Sequence, residues 1–487
     1  MNFCKFTFIL VLNTVLSLDI DFLYEIERRI DFDIDPCDDF YRHVCGEPQK
    51  SLNDVLLEAY QKEIDVMEMP DDVKYVCNYS LDPNFHDMFN NLNQKHAIER
   101  LIVKFEKSCE KQDEDYRSIL AVMGNVLNHN KNSTKFNYYN HLRFDKNCSR
   151  AATNLKNIVQ RTWLELRKER RKNDIYLKNI LSNTCAFYWL NKNKQAFQRH
   201  LELLEKMKHE LLEMNKITPW ILSSNSLPAM NKMINMSYLN TYADTSYQQN
   251  AEETRNVILN CFRKVPNEIR FFCYLLVSSP EFLDQNSFHA LNSNGEILMF
   301  NPLLSILSKE QIAPFKYGYT GVMMAHELGH SFIKSTPNYM LVPYFPSEIE
   351  NCIKQQFRKT CEFFMKKNCS IDKMKYDEDA ADIFGIHLAY QIFAKKYENN
   401  LQDIIENSKY NLTNQQMFYY SATSLGCQFK TKTLLPSNNY HSSYERSNAQ
   451  MVQSSGFQQA FKCDEKSRMI QSKYKYCYIF GNNASFN

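Results

Sequence analysis

His326 and His330 stand four positions apart, with Glu327 beside the first, in the largely apolar run from Gly321 to Ile333; no other stretch restricts the chain as much. A run of this character without proline is expected to be helical. At about 100° per residue the two imidazoles then lie one turn apart on one face, where both can bind a single Zn²⁺. Glu327 flanks that face and can take a proton from a water there. The bland alternative is a buried helix that carries two histidines by coincidence, and 12 histidines in 487 residues make that uncommon.

Two histidines and a water leave a tetrahedral zinc one protein ligand short. The arrangement in which a third histidine follows six residues after the second, with a glycine between, is excluded, because those positions are Thr336 and Ile333. A second apolar helix is expected over Tyr376 to Tyr390, where Glu378 and Asp382 are four apart and share a face. Glu378 can complete the ligand set, while Asp382 can accept a hydrogen bond from the far nitrogen of a liganding histidine and fix its tautomer. Alone, such a carboxylate pair reads as exposed helix surface; beside Ala380, Ala381 and Ile383 it reads as half of a zinc site.

Glycine and proline together number only 24 of 487 residues, so the fold should be mainly α with a small β-sheet. Amphipathic helices are expected over 53–68 and 97–111, and most clearly over Phe197 to Met214, where Leu201, Leu204, Leu211 and Met214 share a side. Asn125 to Asn147 reads as a surface connection, Tyr238 to Glu252 as a boundary, and Ser287 to Phe300 as a turn between strand-like residues. The basic run Arg167 to Lys172 reads as a solvated helix end, because a net charge of +2 gives no electrostatic case for nucleic acid.

The apolar run Phe6 to Leu16 is too short for a bilayer span of about 20 residues, and residues 1–18 read as a secretory signal peptide, the alternative being an uncleaved anchor. Beyond Cys4 there remain 14 cysteines, an even number that suits an oxidising compartment. Seven sequons, at Asn78, Asn132, Asn147, Asn235, Asn368, Asn411 and Asn483, fit a secreted glycoprotein whose association with membranes ends with signal cleavage.

In order along the chain, Pro36-Cys37-x-Asp-Phe-Tyr-x-x-x-Cys45-Gly46, Ile217-Thr-Pro-Trp220, the motifs at His326 to His330 and Glu378 to Asp382, and His441-Ser-Ser-Tyr-Glu-Arg446 running on to Cys463 resemble the neprilysin and endothelin-converting-enzyme family of zinc metallopeptidases. The resemblance implies a thermolysin-like catalytic domain over 251–487, a helical lid over 51–250 and an N-terminal segment, 19–50, tied to the catalytic domain. It also implies one Zn²⁺ per chain, held by His326, His330 and Glu378, and peptide substrates cut on the amino side of bulky apolar residues. His441 would stabilise the oxyanion and Arg446 would bind a substrate carbonyl, while His289 and Ala290 would lie on a strand edge to which substrate adds. The disulfides it implies are Cys37–Cys463, Cys45–Cys427, Cys109–Cys185 and Cys361–Cys477. Of the remaining six cysteines, proximity suggests Cys261–Cys273 and Cys352–Cys369, leaving Cys77 for Cys148.

The chain departs from the family at several points. Only 76 positions separate Cys109 from Cys185, which implies a shortened lid and a more open cleft. His289 stands where the family has Asn, Ile333 where it has Asp, and Cys477-Tyr-Ile-Phe480 where it has Cys-x-x-Trp. Two functions follow: a secreted zinc endopeptidase using Glu327 as base, or a secreted binding protein that keeps zinc for stability. The sequence carries no sign of oligomeric state.

Overall fold

In the computed structural model the described residues are 21–46, 50–70, 74, 77, 94–111, 147–157, 185, 188–240, 290–293, 295–299, 301–333, 345–365, 373–427 and 441–481. Helices dominate them: α1 (Phe22–Glu27), α2 (Phe40–Val44), α3 (Leu52–Val66), α4 (Gln94–Lys111), α5 (Lys194–Asn215), α6 (Leu227–Met236), α7 (Val322–His330), α8 (Ser347–Met365), α9 (Lys373–Lys396), α10 (Asn414–Ser424) and α11 (Ser443–Gln453). Three of them begin with a reciprocal capping box, Ser51 with Asp54, Thr413 with Gln416 and Ser442 with Glu445, which satisfies first-turn amides that would otherwise lack partners. The expected helix at 197–214 is α5; it buries Leu204, Leu211 and Met214 together with Leu203 and Met207.

The sheet has three strands, β1 (Tyr238–Asn240), β2 (Ala290–Ser293) and β3 (Glu296–Met299), in the order β1-β3-β2. β1 runs parallel to β3 with Leu239 opposite Ile297, and β2 runs antiparallel to β3 with Ala290 opposite Met299. The reversal between β2 and β3 uses Gly295 at φ 92°, a left-handed conformation that a side chain would strain. β1 precedes residue 251, and α5 packs on α6, α7 and α9, so 194–240 packs together with the zinc-motif helices. The family tryptophan segment appears as the short helix Pro219–Ser223, whose Trp220 Nε1 donates to the Ile479 carbonyl at 2.8 Å.

Outside the described residues lie the signal peptide, most of the 125–147 connection, the basic run 167–172, His289, Cys261, Cys273 and the sequons at Asn78, Asn132, Asn368 and Asn483. Asn147, Asn235 and Asn411 are exposed.

Cys37 is bonded to Cys463 and Cys45 to Cys427, which ties the N-terminal segment to the end of the chain. Four other expected pairings are corrected, while Cys261–Cys273 lies outside the described residues. Cys109 joins Cys148 and Cys77 joins Cys185, replacing Cys109–Cys185 and Cys77–Cys148. Cys109 lies in the last turn of α4 and Cys148 at the start of the next described helix, so those two ends meet. The bond from Cys77 to Cys185 spans 108 positions, so the 76-residue separation no longer measures a lid. Cys477 joins Cys352, not Cys361, which excludes Cys352–Cys369 as well. Both candidates sit on α8 nine positions apart, which is about half a revolution, and therefore face opposite ways. The face with Cys352 also carries Gln356, which takes the Tyr474 amide, and Lys359, which donates to the Lys473 carbonyl at 2.6 Å. That side of the helix is the one lined by the C-terminal segment. Phe480, in the family's tryptophan position, is buried edge-on against Phe384 with centroids 5.0 Å apart.

Candidate active site

The chain enters α7 through a π-helical turn, Lys316–Gly321, and α7 lies directly against α9. Two glycines let them approach. A Cβ on Gly385 would stand 2.9 Å from the Val322 carbonyl oxygen and 3.1 Å from the His326 amide, and one on Gly329 would meet the Phe384 ring at 3.0 Å. This contact brings the motif on α7 to the carboxylates on α9.

Across it, His326 Nε2 lies 3.2 Å from His330 Nε2 and 3.3 Å from Glu378 Oε2, while His330 Nε2 lies 3.7 Å from Glu378 Oε1. Tetrahedral zinc with bonds of about 2.0–2.1 Å separates its ligand atoms by roughly 3.3 Å, so these three side chains fit such an ion. A carboxylate oxygen of Glu327 also comes within 4.8 Å of the imidazole nitrogens, too loose for the same shell but suited to a group acting beside it.

Charge leads to the same assignment. Burial opposes a proton on His326, but the hydrogen bonds it donates to Asp382 and Glu378 outweigh it and push its pKa up to about 10. Burial and the neighbouring His326 charge lower His330 to about 4. The protein groups therefore call for positive charge between them, and a dication meets that demand while leaving both imidazoles neutral. Burial, with Glu378 adding to it against the pull of His326, raises Glu327 to about 7, within reach of a general base near neutrality.

Asp382 Oδ1 accepts from His326 Nδ1 at 3.0 Å, leaving Nε2 as the liganding atom. Arg446 on α11 donates to the same carboxylate through Nε at 2.6 Å and Nη2 at 2.8 Å, and reaches Glu378 at 3.5 Å. Burial works against charge on Asp382, yet the Arg446 guanidinium and the bonds from Arg446 and His326 hold its carboxyl well below the usual range. The arginine expected to face substrate thus also braces the zinc ligands. His441 lies just before the Ser442 cap of α11; its Nδ1 donates to Asp379 at 2.8 Å and its ring stacks on Phe357.

Ala290 opens β2, which has no neighbour on its outer side among the described residues and packs along α7. Asn292 fastens it there, donating through Nδ2 to the Glu327 carbonyl at 2.6 Å and to Ser331 Oγ at 3.0 Å. Sequence reasoning missed Asn292 and Asp379. The first has no signal beyond its place in a strand, whereas the second adjoins Glu378. Ile333 is buried, and His289 lies outside the described residues.

Residues 298–477 match the model of peptidase family M13. Among solved structures the chain is similar to the zinc metalloprotease ZMP1 of Mycobacterium tuberculosis in complex with inhibitor, at 12% identity over 92% of this chain and 98% of that one, with a TM-score of 0.46. It is also similar to the same protease in an open state, at 11% identity over 91% and 100%, with a TM-score of 0.49. No curated protein matches the chain.

Proposed function

We propose that the chain, whose residues 298–477 match peptidase family M13, is a zinc-dependent metalloendopeptidase that is secreted and cleaves extracellular peptides. The observation that carries this reading is the spacing of 3.2, 3.3 and 3.7 Å among the ligand atoms of His326, His330 and Glu378, with Glu327 beside them. One zinc per chain would be held by those three residues and, when bound, polarises the scissile carbonyl and acidifies water. Glu327 takes the proton of the attacking water and passes it to the leaving amine. His441 donates toward the carbonyl oxygen as charge develops on it. Asp382 keeps His326 in the Nδ1-protonated tautomer, and Arg446, anchored on Asp382, contacts a substrate carbonyl. Extended substrate adds to β2 at Ala290 by backbone hydrogen bonds, with the cut on the amino side of a bulky apolar residue.

Five disulfides among the described residues and exposed sequons at Asn147, Asn235 and Asn411 support secretion. No helix among the described residues is long and apolar enough to cross a membrane. Residues 19–50 contribute a tethered N-terminal segment, 194–240 together with 251–487 the catalytic part, and the remainder of 51–250 a reduced helical lid, with a cleft open enough for longer peptides.

A quenched peptide library incubated with the purified protein, with and without chelator, tests the proposal. Chelator-sensitive cuts before bulky apolar residues are expected. A protein that carries stoichiometric zinc yet cleaves nothing would be the binding protein instead.

A further inference from the structure

We infer that Asp379 is a positioning residue for the reaction, holding the His441 ring by Nδ1 so that Nε2, on the opposite edge, is presented to the scissile carbonyl. The inference rests on the role proposed above for His441.

Three restraints converge on that ring. Asp379 Oδ1 accepts from Nδ1 at 2.8 Å. Phe357 of α8 stacks against one ring face, with centroids 5.5 Å apart and planes inclined by 21°. The backbone next to it is set by the capping box of Ser442 and Glu445, which fixes where α11 begins. Among the described residues nothing hydrogen-bonds to His441 Nε2.

Asp379 is itself placed with care. It is 3% exposed, and a buried carboxylate is costly unless a partner satisfies it; the partner here is His441. On α9 it follows Glu378 and precedes Asp382 by three. At about 100° per residue it lies on the flank of the zinc-facing stripe, toward α8 and α11, which both pack on α9. One helix thus supplies a zinc ligand, the carboxylate that orients a zinc histidine, and the carboxylate that orients the oxyanion donor. The simpler view, that the pair only fastens the start of α11 to α9, makes different predictions.

The test is a double-mutant cycle of Asp379→Asn and His441→Gln, with kcat, KM, zinc content and the imidazole ¹⁵N resonances of His441 measured for each protein. His441→Gln should lower kcat by about 10²–10³-fold, as for other oxyanion donors. Asp379→Asn should lower kcat by about 10–100-fold with KM little changed and zinc retained, and should cost nothing further in the His441→Gln background. In the parent, His441 should be protonated at Nδ1 while neutral, and the Asp379 variant should lose that preference. An equal loss from Asp379→Asn in both backgrounds, loss of zinc, or an unchanged kcat overturns the inference and leaves the role of His441 standing. An unchanged kcat in His441→Gln instead overturns the role of His441, and with it the inference. Should Asp379→Asn fail to fold, the parent resonances decide alone, since a neutral ring bare at Nδ1 excludes it.

Discussion

Asp382 and His326 are joined at 3.0 Å through Oδ1 and Nδ1, and the same carboxylate is clasped twice by Arg446, so one side chain couples the zinc helix to α11. Replacing Asp382 by Asn keeps the volume but removes the charge on which both partners depend. Zinc affinity or activity should fall by about 10–100-fold. Competition against a chromophoric chelator measures the first directly; unchanged affinity together with unchanged turnover would show that His326 needs no orienting partner.

The approach of α7 to α9 depends on a missing side chain. In Gly385→Ala the new methyl would meet the Val322 carbonyl at 2.9 Å, and both atoms are rigidly held, one by backbone and one by helix geometry. The helices must separate by a few tenths of an ångström or more, which loosens the ligand cluster. We expect a destabilisation of about 1–3 kcal/mol and weaker zinc retention, read from thermal unfolding with and without added zinc. A fully stable, fully metallated variant would show that the contact is softer than its geometry.

Glu327 lies beside the ligand cluster and is buried, so its carboxylate is available for proton transfer without being needed to hold the ion. Glu327→Gln should bind zinc as the parent does and lose nearly all peptidase activity, about 10²–10⁴-fold. Zinc stoichiometry and initial rates on one peptide suffice. A variant that cuts at the parental rate removes Glu327 as base.

The zinc motifs were legible because their spacings coincide with one helical turn, so His326 with His330 and Glu378 with Asp382 each share a face before any tertiary structure is known. Long-range partners carry no such period. Asp379 and His441 are 62 positions apart, and Asn292 reaches Glu327 across 35, so neither contact leaves a trace in local pattern. The cysteines show the same limit. On α8 Cys352 and Cys361 face opposite ways, and the course of residues 472–477 along the face of Cys352 decides between them. The cap of α11 is a different case, since Ser442 and Glu445 stand in the capping-box spacing and were open to reading.

Two buried histidines away from the zinc cluster give the fold a pH dependence. His387 donates from Nε2 to the Gln453 carbonyl at 2.7 Å, and His200 donates from Nδ1 to the Ala196 carbonyl at 2.8 Å. Burial lowers both to about 4, against about 6.5 in an unfolded chain. Between those values the unfolded state binds more protons than the folded one, so the contribution is complete above about pH 6.5 and is lost as pH falls toward 4. The slope is at most about 1.4 kcal/mol per pH unit for each histidine. Glu327 and Asp379, raised to about 7 and about 6 chiefly by burial, slope the opposite way, so total stability is a poor readout. The difference between parent and His387→Gln isolates one histidine. Urea midpoints taken from pH 7 down to pH 4 should drop more steeply for the parent than for the variant, and parallel curves would mean that His387 is charged in the folded protein.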